Sequence, residues 1–311
     1  MADKPVVLVI TGPTASGKSE LAYSLCERFP DRFELISVDS AQVYRGLDIG
    51  AAKPTDVEQR LVPHHLIDIR DPTDPYTAHD FVTHANRLLE SITARGKMPL
   101  MVGGTMLYLK SLRSGLAELP SASPVVRAAL ESEAAEKGWP YLHERLTKID
   151  PVAAARIKPS DRQRLQRALE VFELTGRKLS DLQAESGSNP TFDAVEVAIE
   201  PPNRAELHER IATRFDQMLE DGLVPEVEAL REVFDLNPTL PAMKSVGYRQ
   251  VWDYLEGDID WAEMRLRGII ATRQLAKRQL TWLRGWSHLH RLHAPSLDAL
   301  LKIKPLAHIL D

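Results

Sequence analysis

The chain of 311 residues has one cysteine, Cys26. A single cysteine excludes an intrachain disulfide and a cysteine-based zinc site, which fits a reducing compartment. No apolar run approaches the roughly 18 residues of a membrane-spanning helix. The first predicted strand follows the N-terminus almost directly and leaves no room for a signal peptide. We therefore expect a cytoplasmic protein without membrane association.

Neither positive nor negative charge is in large excess. The formal net charge is −5, with 43% hydrophobic and 27% charged residues, as in ordinary globular proteins. The net charge by itself argues against a nucleic-acid-binding protein. The length indicates two domains, or one domain with a sizeable insertion.

A β-branched run, Val6 to Ile10, leads into a glycine-rich turn, Gly12-Pro13-Thr14-Ala15-Ser16-Gly17-Lys18-Ser19. This stretch fits the phosphate-binding loop pattern G-x-x-x-x-G-K-[ST]. Glycines let the backbone wrap closely around an anion, and the following helix start supplies free N–H groups. Lys18 is placed to reach an outer phosphate and the Ser19 hydroxyl to ligate Mg²⁺. The motif predicts a bound pyrophosphate or triphosphate, without deciding between them.

Further strands follow the phosphate loop. The pattern predicts strands at Phe33–Val38, 64–68 and 98–102 and a helix over 77–95. Apolar strands joined by helices indicate right-handed βαβ units and a parallel sheet. Asp39 and the turn Gly103-Gly104-Thr105 then follow strands at the edge where open α/β sheets bind ligands.

The residues around Asp39 in the sequence do not decide between several roles for it. Its carboxylate fits a Mg²⁺ ligand acting through water, a general base beside the phosphate site, or a helix N-cap. Gln42 carries an amide that suits an adenine edge. Arg214 is a candidate phosphate clamp, and an ordinary surface arginine is the alternative.

Beyond Leu112 the strand pattern stops. The pattern predicts that residues 113–193 form a helical insertion domain, flanked by the core segments 1–112 and 194–311. The alternating segment 194–199 returns to a strand, and from Asn203 onward the pattern is mostly helical. The fold class is thus α/β, a phosphate-loop-type parallel sheet flanked by helices, with a helical insertion.

Basic residues concentrate in two segments. Residues 156–178 hold seven arginines and lysines against three acids, and residues 265–291 hold seven with no acid. Trp282 and Trp286 lie in the second segment. Solvated helix faces are one explanation, but two such segments in an acidic protein favour a nucleic-acid channel.

Together these stretches resemble the tRNA dimethylallyltransferase family. The resemblance runs in family order over nearly the whole chain. It rests on the phosphate loop and on Asp39-Ser40-Ala41-Gln42-Val43-Tyr44, Gly103-Gly104-Thr105-Met106-Leu107-Tyr108, Gln163-Arg164-Leu165-Gln166-Arg167, Met218-Leu219-Glu220-Asp221-Gly222-Leu223 and Lys244-Ser245-Val246-Gly247-Tyr248-Arg249-Gln250. Two departures are Ser19, where threonine is usual, and Met106, where glycine is usual. The chain lacks the cysteines of the zinc finger found in eukaryotic members, which implies the bacterial form.

The resemblance implies transfer of a dimethylallyl group from dimethylallyl diphosphate to N6 of adenosine 37, beside the tRNA anticodon. The phosphate loop would hold the diphosphate, with Mg²⁺ on Ser19 as cofactor. Lys18 and Arg214 would stabilise the leaving group, and Asp39 would act on the amine with Thr105 nearby. Residues 39–42 would meet the adenine, and residues 163–167, 244–249 and Arg127 would bind the anticodon stem-loop. The resemblance implies no obligatory protein partner.

Three other functions remain as alternatives. A small-molecule phosphate-loop kinase would share the core and use ATP. A nucleotide-dependent switch is less favoured because the chain has no Asn-Lys-x-Asp sequence for reading guanine. An isopentenyltransferase for free adenine nucleotides is the nearest alternative, and the two basic segments favour tRNA over it.

Overall fold

The structure is a computed structural model, and it describes residues 4–115, 117, 119–185, 190–304 and 306. The described strands are β1 (Val6–Thr11), β2 (Phe33–Val38), β3 (His64–His65), β4 (Met98–Gly103), β5 (Asp193–Ile199) and β6 (His290–Leu292). They form one sheet in the order β3-β2-β4-β1-β5-β6, and every neighbouring pair is parallel. The predicted parallel α/β fold is confirmed.

The helices separate the strands along the chain. They are α1 (Lys18–Arg28), α2 (Asp56–Leu61), α3 (Ala78–Ala94), α4 (Met106–Ser114), α5 (Pro124–Lys137), α6 (Trp139–Ile149), α7 (Pro151–Arg156), α8 (Arg162–Thr175), α9 (Leu179–Glu185), α10 (Arg204–Glu220), α11 (Leu223–Val233), α12 (Tyr248–Leu255), α13 (Trp261–Arg284) and α14 (Leu297–Leu301). Their starts follow local chemistry. Thr55 and Thr77 both form capping boxes at the starts of α2 and α3, with Glu58 and Asp80 three residues later.

Two compact units divide the chain. The first consists of Met1–Lys110 and Thr191–Asp311, and the second of Ser111–Pro190. In the first unit, Leu8 and Ile10 of β1 belong to a buried apolar cluster with Leu21 and Leu25 of α1 and Leu300 of α14. The alternation of side chains along β1 puts Leu8 and Ile10 on one face of the sheet, where the helices cover them.

The second unit has its own core. Leu142, Leu146, Leu165 and Leu169 are fully buried in it, and their spacing of four residues places each pair on one face of α6 or α8. The part of this unit that the structure describes contains helices and no strand. Residues 116, 118 and 186–189 of the predicted insertion lie outside the described residues.

Two strand predictions need correction. The strand predicted from His64 to Asp68 ends at His65, because Leu66 and Asp68 have φ values of 65° and 55°. These left-handed conformations do not occur within a strand. Strand β6 was not predicted. Its three residues are too short to show an alternating pattern, and they pair with β5 next to it in the sheet.

Within the described part of the chain, no helix combines the length and apolar character needed to cross a bilayer.

Candidate active site

The carboxyl ends of three neighbouring strands lie side by side at one edge of the sheet. In the register of the strands, Val38 of β2 pairs with Gly103 of β4, and Gly103 also pairs with Thr11 of β1. The phosphate loop, Asp39 and the turn at 103–105 follow these residues directly. The structure therefore brings together the three segments that the sequence predicts at this edge.

The phosphate loop has a backbone that only particular residues allow. Gly12 has a φ of 150°, and a Cβ atom there would lie 2.5 Å from the carbonyl oxygen of Ile199. Gly17 has a φ of 89° and precedes α1 without any side-chain cap on the helix. The first N–H groups of α1 are thus left for an anion, which the positive end of the helix dipole also favours.

Members of the loop differ in exposure. Gly12, Pro13 and Ser16 are buried, and Gly17 is half-buried. A cavity of about 580 Å³ opens beside the loop. Its wall includes four loop residues, Thr14, Ala15, Lys18 and Ser19.

The side chain of Lys18 folds back onto the phosphate loop to which it belongs. Its Nζ donates to the carbonyl oxygen of Pro13 at 2.6 Å. Burial, and then the nearby Arg214 guanidinium, lower the pKa of Lys18, while the Asp39 carboxylate acts in the opposite direction, and the net pKa is about 7. A bound anion in contact with the Lys18 amine would raise its pKa again, because a nearby negative charge favours the charged form of the amine.

The carboxylate of Asp39 is fixed by the backbone that follows it. Oδ1 accepts the N–H of Ala41 at 2.8 Å and that of Gln42 at 3.3 Å. Among the described residues no hydrogen bond reaches Oδ2. The carboxylate therefore has a fixed orientation and one oxygen available on the cavity, whose wall includes Asp39.

Thr105 ties the ends of β2 and β4 together. Its Oγ1 accepts the N–H of Ser40 at 3.1 Å, and its N–H donates to the carbonyl oxygen of Val38 at 3.1 Å. A Cβ at Gly103 would lie 2.2 Å from that same oxygen, so only glycine allows this approach. Thr105 and Ser40 line the cavity beside Asp39.

Arg214 of α10 lines the same cavity and is open to it. Burial by the surrounding walls lowers the pKa of its guanidinium, and the Asp39 carboxylate raises it. The structure therefore places two cations, Lys18 and Arg214, and one carboxylate around one cavity. This arrangement suits a ligand with a strongly negative part and a part that carries a proton donor.

A residue that the sequence did not single out connects two of these segments. Gln279 of α13 is buried, and its Oε1 accepts the N–H of Thr14 at 2.9 Å. Its Nε2 donates to the carbonyl oxygen of Gly104 at 2.9 Å. The glutamine lies within the basic segment 265–291, where no local pattern distinguishes it from other polar helix residues.

Gln42 is committed to the cavity wall. Its Oε1 accepts the Ser37 hydroxyl at 2.7 Å, and its Nε2 donates to the carbonyl oxygens of Ala51 and Ala52 at 3.3 and 3.0 Å. The predicted contact of this amide with an adenine edge would require these bonds to break. Ser40 and Ala41 line the cavity beside it, and the Ser40 hydroxyl accepts a long hydrogen bond from Oγ1 of Thr105 at 3.5 Å.

The segment 244–249 divides between the cavity and the core. Lys244, Ser245 and Val246 line the cavity, and Arg249 is exposed. Gly247 and Tyr248 are buried, Tyr248 completely. This corrects the prediction for Tyr248, because a fully buried side chain does not reach an RNA. Its hydroxyl instead donates to Oε1 of Glu226 at 2.6 Å.

In the second unit, Arg127 and Arg167 share one buried carboxylate. Glu170 is fully buried and accepts from Nε of Arg127 at 2.9 Å and from a terminal nitrogen of Arg167 at 2.7 Å. Desolvation of the carboxyl raises its pKa, but these hydrogen bonds outweigh it, and the net pKa of Glu170 is lowered. Both guanidinium groups are held in place and keep part of their surface exposed.

The other residues of α8 that are predicted to contact tRNA differ in burial. Gln163 and Arg164 are exposed, and Gln166 is half-buried. Leu165, also within the segment predicted to bind tRNA, is fully buried in the core of the second unit, so its side chain offers no surface to an RNA.

Although residues 265–291 contain no acid, acidic side chains from other segments pair with some of their arginines in the folded protein. Arg265 forms a bidentate ion pair with Asp216, and Arg291 pairs with Glu200. The exposed positive charge is thus smaller than the sequence indicates. Arg278 and Trp282 lie on the cavity wall.

The described residues contain no group of three or more histidine, cysteine, aspartate or glutamate side chains that suits a metal ion. A metal at this site would depend on Ser19 and on oxygens of a bound ligand. Ser19 is exposed at the start of α1 on the cavity wall, which is compatible with that arrangement.

A family model described as IPP transferase matches residues 42–286. The chain belongs to the IPP transferase family. It is 55% identical over 296 residues to the tRNA dimethylallyltransferase of Ralstonia pickettii, covering 93% of this chain and 90% of that protein. It is 54% identical over 288 residues to the enzyme of the same name from Ralstonia nicotianae, covering 90% of this chain and 88% of that protein.

Solved structures of IPP transferases agree. The chain resembles a tRNA isopentenylpyrophosphate transferase from Bacillus halodurans with a TM-score of 0.68 and 35% identity, covering 99% of this chain and 95% of that one. It resembles a eukaryotic dimethylallyltransferase, described as acting on tRNA, with a TM-score of 0.79 and 27% identity, covering 98% of this chain and 78% of that one. The resemblance inferred from the sequence is confirmed.

Proposed function

We propose that this protein transfers the dimethylallyl group of dimethylallyl diphosphate to N6 of adenosine 37 in tRNA. The observation that carries the proposal is the single cavity that joins an uncapped phosphate loop to a fixed carboxylate, Asp39. Family membership and the names of the similar proteins support it. In this proposal the phosphate loop binds the donor and Asp39 faces the acceptor.

The donor side stabilises a leaving group. The allylic C–O bond breaks, and negative charge grows on the departing diphosphate. Lys18, Arg214 and the N–H groups at the start of α1 are positioned around the loop to meet that charge. Such preorganised groups commonly contribute more to the rate enhancement of an enzyme than any other single effect. The allylic carbon needs little covalent help, because its developing positive charge is delocalised over the double bond.

Magnesium fits the donor side through its preference for oxygen ligands. The Ser19 hydroxyl would hold it together with diphosphate oxygens, and Mg²⁺ usually keeps several waters rather than a full protein cage. When bound, it would neutralise part of the diphosphate charge.

The acceptor side positions an amine. N6 forms a bond to the allylic carbon while the bond from that carbon to diphosphate oxygen breaks, and N6 then gives up a proton. Asp39 accepts this proton on the oxygen that the backbone does not hold. The exocyclic amine of adenine is a weak nucleophile, so its orientation by Asp39 and Thr105 contributes to the rate. The base must leave the anticodon stack to enter the cavity.

Residues of both units would hold the tRNA. Arg127, Gln163, Arg164 and Arg167 supply exposed or half-exposed groups in the second unit, and Lys244 and Arg249 do so in the first. This protein would act in the cytoplasm as a monomer.

Two alternatives are less favoured. A small-molecule kinase would fit the phosphate loop, but the matching family and named relatives are transferases of another kind. An isopentenyltransferase for free adenine nucleotides would not need the exposed arginines of the second unit.

One assay separates these functions. The protein is mixed with radiolabelled dimethylallyl diphosphate and bulk unmodified tRNA, without ATP, and label in tRNA is counted. We expect label in tRNA and none in free AMP offered instead. Label in AMP alone, or a requirement for ATP, would contradict the proposal.

A further inference from the structure

Glu226 of α11 holds a loop of the cavity wall from behind. Its Oε2 accepts the N–H groups of Asp48 and Ile49 at 3.2 and 2.6 Å, and its Oε1 accepts the N–H of Gly50 at 3.3 Å. Three consecutive backbone donors thus converge on one carboxylate. Hydrogen bonds to an ionised acceptor are stronger than those between neutral groups.

Tyr248 of α12 continues this support. Its hydroxyl donates to Glu226 and accepts the N–H of Ala51 at 3.1 Å. A Cβ at Gly50 would lie 2.6 Å from the tyrosine ring, so the loop is packed directly on it. Burial, and then the Glu226 carboxylate, raise the pKa of Tyr248 well above its usual value, which keeps the hydroxyl protonated as a donor.

The same loop is bonded on its other side to Gln42. Nε2 of Gln42 donates to the carbonyl oxygens of Ala51 and Ala52, and the backbone N–H of Gln42 donates to Oδ1 of Asp39. A continuous series of hydrogen bonds therefore runs from Glu226 and Tyr248, through residues 48–52 and Gln42, to Asp39.

We propose that Glu226 and Tyr248 are positioning residues for the Asp39 carboxylate. They act through the loop 48–52 and Gln42. The inference rests on the proposed function, in which Asp39 faces the amine. It also gives Tyr248 a role inside the protein in place of the RNA contact predicted from the sequence.

The physical consequence is a loss of rate with little loss of binding. Without its two anchors the loop no longer fixes Gln42, and Asp39 gains freedom to turn away from N6. A displacement near 1 Å at a reacting group costs up to about 100-fold in rate. The phosphate loop and the exposed arginines remain intact, so both substrates should bind as before.

Two conservative variants test this. Tyr248→Phe keeps the ring and removes the hydroxyl, and Glu226→Gln keeps the size and removes the charge. Glu34→Gln is the matched control, because Glu34 is a buried carboxylate of the same unit that accepts from Arg95 and His65 and does not itself line the cavity. The measurements are the single-turnover rate with preformed tRNA complex, the dissociation constants of both substrates and the melting temperature.

We expect both test variants to lose about 10- to 100-fold in single-turnover rate, with affinities for both substrates within about threefold of wild type. Glu34→Gln should keep the wild-type rate at a temperature where all variants are folded. A normal rate in Tyr248→Phe would overturn the inference. It would also be overturned if Glu34→Gln lost as much rate for each degree of lost melting temperature as the test variants do, because the rate losses would then follow from lost stability.

A double variant tests the route through Gln42. If Tyr248 acts through Gln42, Tyr248→Phe combined with Gln42→Leu should lose less than the product of the two single losses. Independent, multiplicative losses would overturn the route. Wild-type protein in the same assay separates this result from failure of the proposed function, since prenyl transfer by wild type must be seen before any variant is compared.

Discussion

Gln279 accepts the backbone N–H of Thr14 through its side-chain oxygen at 2.9 Å, although 265 residues separate the two in the chain. The bond fixes one turn of the phosphate loop from a distant helix. Because the same amide also donates to Gly104, the donor side and the acceptor side of the cavity are joined by one side chain.

Replacing Gln279 with leucine should destabilise the protein and loosen the loop. Leucine has similar volume, but the N–H of Thr14 and the carbonyl of Gly104 would lose their partner. An unsatisfied buried polar group costs about 1–3 kcal/mol, and because Thr14 and Gly104 are half-buried on the cavity wall, the free energy of unfolding should fall by an amount up to that range. Urea denaturation measures the loss. The exposed residue Gln274 of the same helix provides the control Gln274→Leu, which should unfold like wild type.

Lys18→Ala should slow turnover by about 10²–10³, because it removes one preorganised cation from the leaving diphosphate. Binding of tRNA should persist, since the exposed arginines of the second unit are unchanged. Steady-state kinetics and a tRNA filter-binding assay measure the two effects. Near-normal turnover would show that the diphosphate does not bind at this loop.

The lowered pKa of Lys18, about 7, predicts a pH dependence of donor binding. Above pH 7 the amine of the free protein is mostly neutral, and the bound diphosphate restores its charge, so binding takes up a proton. Affinity for dimethylallyl diphosphate should therefore fall as pH rises from 7 to 9, by at most about tenfold per pH unit for one proton. Titration calorimetry measures the slope. Lys18→Met lacks the titrating amine, and an equal slope in that variant would contradict the assignment.

Arg167 should contribute to tRNA binding through its charge. Each phosphate that a cation neutralises releases counterions, so the logarithm of the binding constant falls linearly with the logarithm of salt. Arg167→Gln should weaken tRNA binding and reduce that slope by about one, while donor affinity stays unchanged. Arg145 pairs with Glu133 and Glu173 in the same unit, and Arg145→Gln is the control. An affinity that does not change with salt would show that these arginines do not contact phosphates.

The parts of the site that the sequence predicts are those encoded by contiguous residues. The phosphate loop, Asp39 and the turn at 103–105 follow strands, and parallel strands bring their carboxyl ends together. Gln279 and Glu226 escaped prediction because their partners are distant backbone groups, which leave no local pattern. The ion pair of Arg265 with Asp216 was not predicted either, since the acid lies on another helix, distant in the sequence.

Asp39 is the residue on which two predicted roles compete. As a ligand of Mg²⁺ it would act on the diphosphate, and Asp39→Asn would weaken donor binding. As the partner of N6 it would leave donor binding intact and slow the chemical step. We propose the second role, because the carboxylate follows β2 beside Thr105 and its Oδ1 is oriented by two backbone N–H groups. Asparagine keeps the shape and a carbonyl oxygen for those N–H groups.

Asparagine does not accept a proton, and general-base catalysis typically contributes about 10²–10⁴-fold. Single-turnover rates of Asp39→Asn with preformed tRNA complex should fall within roughly that range. Dissociation constants for both substrates should change little. Should the single-turnover rate stay normal while donor affinity collapses, Asp39 acts on the diphosphate, and another group must take the proton from N6.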